Sequence, residues 1–65
     1  MADLTPEEIV TSLERRGFSV NNITRDFDDD EVFFLSRRRK GTTRVAQVEG
    51  TLVNGMSYAD YITTL

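Results

Sequence analysis

The chain of 65 residues contains no cysteine, no histidine and no tryptophan, and only one proline. Without cysteine there is neither a disulfide nor a thiolate metal site, so a disulfide-framed secreted miniprotein is excluded. Without histidine the commonest nitrogen ligand and the commonest general base are both missing. Serine and threonine then have no partner with an ordinary pKa near neutrality to activate them. No apolar run approaches the roughly 18 residues of a membrane helix. A Gly-rich phosphate loop is absent as well, and Lys40-Gly41-Thr42 has the wrong order for a Walker motif. The expected class is therefore non-enzymatic, with no cofactor and no metal.

Length sets a second bound. Residues 1–65 allow one small domain. Such a domain buries only about 60% of the surface its unfolded chain exposes, so its stability is marginal unless it is oligomeric. The opening Met1-Ala2-Asp3-Leu4 carries acid where a secretory signal carries base. The expected location is cytoplasmic, and the Asn22-Ile23-Thr24 sequon reads as accidental.

What the chain does have is segregated charge around an apolar run. The net charge is −3, from 8 basic and 11 acidic residues. Asp26, Asp28, Asp29, Asp30 and Glu31 precede Val32-Phe33-Phe34-Leu35, while Arg37, Arg38, Arg39 and Lys40 follow it, with Arg44 close by. In a strand, successive side chains point to opposite faces, so Phe33 and Phe34 cannot enter the same core. The acidic and basic clusters would then sit at opposite ends of a sheet.

Local signals predict an α+β fold. Thr5-Pro6-Glu7-Glu8 has the N-cap, first-turn proline and N3 glutamate of a capping box, with Leu4 and Ile9 spaced as a hydrophobic staple. Ile9, Val10 and Leu13 form an apolar stripe, and Gly17-Phe18 suits a left-handed stop. A helix is expected over about residues 6–16. A first strand is expected over 22–27, beginning earlier if Asn21-Asn22 forms a bulge. A solvated acidic turn, a second strand over 31–38, a turn around Gly41 and a third strand over 43–53 follow. On that third strand Ala46, Val48 and Leu52 are expected on the core face, with Val53 on the other. Asn54-Gly55 ends the strand, and Ser57 caps a short second helix striped by Tyr58, Tyr61, Ile62 and Leu65. The expected architecture is an N-terminal helix, a three-stranded antiparallel β-meander and a short C-terminal helix.

In element order alone, this α-β-β-β-α arrangement resembles double-stranded-RNA-binding domains and some small phage inhibitor proteins. The basic N-terminus of the last helix, with which the RNA-binding family grips phosphates, is replaced here by Tyr58, Ala59 and Asp60.

Asp26 to Glu31 fails as a calcium loop, because Glu31 and Arg37 stand where an EF-hand needs glycine and a bidentate glutamate. The basic turn could follow a phosphate backbone, but no aromatic is interleaved in it for base stacking. The ordinary accounts are a solvated turn for the acids and a soluble turn guarding a sheet edge for the bases. The function expected from these features is a small protein-binding factor, an inhibitor or accessory protein of the kind phages encode. Its contact residues would be Phe33, Phe34, Arg37, Arg38, Arg39, Lys40 and Arg44, with Asp28, Asp29, Asp30 and Glu31 as a second, acidic patch. The alternative is a nucleic-acid-binding regulator using the basic hairpin 37–44. A homo-oligomer is a further partner class left open.

Overall fold

A computed structural model describes residues 4–65; Met1-Ala2-Asp3, on which the expectation about a secretory signal rests, lies outside the described residues. The chain folds as α1 (Pro6–Arg15), β1 (Ser19–Arg25), β2 (Glu31–Arg39), β3 (Thr42–Glu49), β4 (Leu52–Val53), β5 (Met56–Ser57) and α2 (Tyr58–Ile62). The five strands form one antiparallel sheet in the order β1-β2-β3-β4-β5. Both helices cover the same face of it, since side chains of each join Phe33, Leu35, Ala46 and Val48 in one buried cluster. Among the described residues, no helix is long and apolar enough to cross a membrane.

The first helix starts and stops as its sequence signals. Thr5 Oγ1 accepts from the Glu8 amide at 3.2 Å, and the Thr5 amide donates to Glu8 Oε1 at 2.9 Å. At the other end the Gly17 amide donates to the Glu14 carbonyl and the Phe18 amide to that of Leu13, a Schellman closure. Gly17 has φ +97°, the left-handed conformation this closure requires. Ile9, Val10 and Leu13 are all buried.

The expected meander of three strands is instead a sheet of five, and Gly50 is the reason. Read as an interruption within one long strand, it is the first residue of a two-residue turn that pairs Glu49 with Leu52. Its φ of +61° suits the first central position of a hairpin turn that favours glycine there. Asn54-Gly55 makes a second such turn, with φ of +53° and +83°, pairing Val53 with Met56. Asn54 also extends the β3 ladder: its Oδ1 accepts from the Gln47 amide at 2.8 Å, and its Nδ2 donates to the Val45 carbonyl at 2.9 Å.

Reversing the chain at Gly50 also reverses the expected faces. Val53 now lies opposite Val48 and is fully buried, whereas Leu52 lies opposite Glu49 and is 46% exposed. Two further boundaries move. The first strand begins at Ser19, through a bulge between Val20 and Asn22, and ends at Arg25; Phe27 lies outside it, fully exposed. The second helix has only five residues, and of its expected stripe Tyr61 is buried while Tyr58, Ile62 and Leu65 are half-buried.

Candidate partner interface

The register of β2 settles which phenylalanine faces outward. Phe33 pairs with Ile23 and Val48 on the helix-covered face and is 8% exposed. Phe34 pairs with Asn22 and Gln47 on the open face and is half-buried. The alternation of a strand assigns the rest. Val32, Phe34, Ser36 and Arg38 line the open face of β2, opposite Glu49, Gln47, Val45 and Thr43 of β3. Leu52 continues the row beyond Glu49. Val32 is buried without belonging to the cluster under the helices, whereas Val45 is 58% exposed. The open face thus carries Phe34 and Val45 between Arg38 at one end and Glu49 at the other, with Leu52 beside Glu49. Sequence reasoning missed Leu52, because its face depends on the turn at Gly50.

The basic residues are divided by the same alternation. Arg37, Arg39 and Arg44 fall on the helix side, Arg38 on the open side, and Lys40 in the turn. Lys40 and Gly41 have φ of +51° and +80°, which fits a two-residue turn whose twist matches its strands. Arg37 does not project freely. Its guanidinium lies 5.0 Å from the centre of the Phe18 ring, its Nη1 donates to the Arg16 carbonyl at 3.2 Å, and its Nε–H is buried without a partner. Phe18, read only as a helix stop, therefore also seats a cation. Arg37, Arg39, Lys40, Thr42 and Arg44, with Leu65, line a recess of about 350 Å³. Burial pushes the Tyr61 phenol up from its ordinary value of 10.0, against the opposing pull of the Arg44 and Arg37 guanidiniums.

The acidic residues gather at the far end. Asp26 Oδ1 accepts from the amides of Asp28 and Asp30 at 2.9 and 3.0 Å, and Asp29 takes φ +65°. Arg25 Nη1 donates to the Asp29 carbonyl at 2.8 Å and stands 3.7 Å from its carboxylate, the one ion pair among the described residues. Carboxylate oxygens of Asp26, Asp28 and Asp30 lie within 4.8 Å of one another. One Asp26 oxygen is already engaged by the turn's own amides, and three carboxylates fall short of the six or more oxygens a calcium ion takes. Glu31 opens β2, so β2 runs from an acidic end to a basic one. Its nine residues separate the two ends by roughly 26 Å at about 3.3 Å per residue. That is well beyond the Debye length of about 8 Å at physiological salt, so each end acts on its surroundings independently.

No protein-family model, no curated protein and no solved structure matches this chain.

Proposed function

We propose that this protein is a non-catalytic binding module that docks a protein partner on the open face of its sheet. One observation carries the reading. Phe34 stands on the helix-free face, half-buried, with Val45 and Leu52 exposed on the same side. An apolar group held on a strand loses little freedom on binding and so makes a good anchor. Arg38 at the edge of this patch selects a partner surface with carboxylates beside its apolar ridge. The acidic turn lies at the other end and repels the same partner if it docks in reverse, which fixes orientation. An inhibitor or accessory protein would need no more than this.

The test is capture with the immobilised protein at about 0.15 M salt, where long-range charge attraction is screened. A protein that binds wild type with saturation, and is released by Phe34→Ser and by Val45→Asp but not by Asp29→Asn, supports the reading. Circular dichroism on each variant establishes that the fold is intact. A partner retained equally by Phe34→Ser overturns it. A gel shift with DNA or RNA at this salt, abolished by Arg38→Glu, would favour a nucleic-acid-binding regulator instead.

A further inference from the structure

The helix-side recess at the basic end has a different chemistry from the open face. Arg37 and Arg44 are direct cross-strand partners, so two cationic side chains leave the same face of one ladder side by side. Such a pair destabilises a sheet unless something lies between them. Arg39, paired with Thr42, adds a third cation on the same side, and Lys40 joins them from the turn. Among the described residues no carboxylate lies within ion-pair distance of any of the four. Arg37 is held by an aromatic ring and a helix-end carbonyl rather than by an acid, so its position is fixed without a carboxylate partner among the described residues. Gly17 packs against it, since a side-chain carbon added there would come within 3.3 Å of Arg37 Cδ.

We infer that this recess binds a small ligand through a multiply charged phosphate group, with Arg37, Arg39 and Arg44 as pairing groups and Thr42 as a hydroxyl donor. Four cations call for more than one negative charge, and guanidinium forks match phosphate oxygens two at a time. A recess of about 350 Å³ accommodates one or two phosphates. The ligand lies between Arg37 and Arg44 and removes their mutual repulsion, so binding and stability rise together. The inference stands apart from the open-face reading, because its residues lie on the opposite side of the sheet.

Calorimetric titration of the whole chain with inorganic pyrophosphate, at constant ionic strength set by potassium chloride, tests it. The expected result is saturable one-to-one binding that raises the melting temperature. Arg44→Gln and Arg39→Gln each weaken it about tenfold, as loss of a charge-assisted hydrogen bond does. Arg44→Lys restores part of the affinity, and Arg38→Gln on the open face changes it less than about twofold, as a screened exposed charge should. Adenosine diphosphate in parallel identifies the source: affinity equal to pyrophosphate places recognition on the phosphates alone, tighter binding assigns a nucleotide, and both uphold the recess. Absence of saturation overturns the inference. So does an Arg38→Gln loss as large as that of Arg44→Gln, or binding to an oligonucleotide without binding to pyrophosphate, since either would mean diffuse attraction by the hairpin.

Discussion

Phe33 and Phe34 are adjacent in sequence and opposite in role, and substitution should separate them. Phe33→Ala removes a ring from the cluster beneath the helices and should cost about 3–5 kcal/mol, enough to unfold much of a domain this size. Phe34→Ser removes a half-buried ring from the open face and should cost about 1 kcal/mol. Urea denaturation of the two variants measures both. Tyr61 supplies a pH-dependent counterpart. Its pKa is raised on folding, so the folded chain holds the phenolic proton more tightly than the unfolded chain does. That contribution is fully present below the unfolded value near 10 and is lost as the pH rises through the higher folded one. Tyr61→Phe should therefore lose less stability than wild type as the pH rises above the unfolded value near 10. Coincident melting profiles for the two proteins would remove Tyr61 as the cause.

The elements differ in how plainly their residues declare them. The first helix was legible because each signal is local: Thr5 and Glu8 cap it, Ile9, Val10 and Leu13 face the core, and Gly17 ends it. The alternation through Val32 to Leu35 was equally plain, and so was the placement of the charged clusters at opposite ends of β2. The β4–β5 hairpin was not legible. A glycine flanked by Glu49 and Thr51 suits both a bulged strand and a tight turn, and only packing of Val53 against the core decides between them. The separation of Arg37 from Arg38 follows from alternation, but the seating of Arg37 on Phe18 does not, since those residues lie far apart in the chain. Two glycines test the turn geometry. Gly50→Ala meets open space at φ +61°, so its cost is backbone strain of about 1–2 kcal/mol. Gly17→Ala adds the close approach to Arg37 Cδ and should cost more. Urea midpoints should rank wild type above Gly50→Ala, and Gly50→Ala above Gly17→Ala.

At the scale of the whole molecule the charge distribution agrees with the helix. Pro6 and Glu7, at the start of α1, share a shallow recess with Asp29, Asp30 and Glu31, while the Arg16 carbonyl at its end accepts from Arg37. The positive end of the helix dipole thus lies toward the acids, and its negative end toward the bases. Within the basic end Arg37 and Arg44 are like-charged cross-strand partners, a placement whose repulsion disfavours a sheet. Arg44→Glu should replace that repulsion with a cross-strand attraction to Arg37 and raise stability by roughly 0.2–1 kcal/mol. Thermal melts at low and high salt should show the gain shrinking as salt is added. An unchanged or lowered melting point at low salt would mean the two guanidiniums do not feel each other. The order of the sheet has one more consequence. Every strand pairs with its immediate neighbour in the chain, and no ladder partners are more than 17 positions apart, as in Ser19 with Ser36 or Val32 with Glu49. Closing such short loops costs little entropy, so the sheet can zip outward from its tight reversals without a long-range search. Refolding from urea should finish within about milliseconds, which leaves a nascent chain little time with its unpaired strands exposed to aggregation.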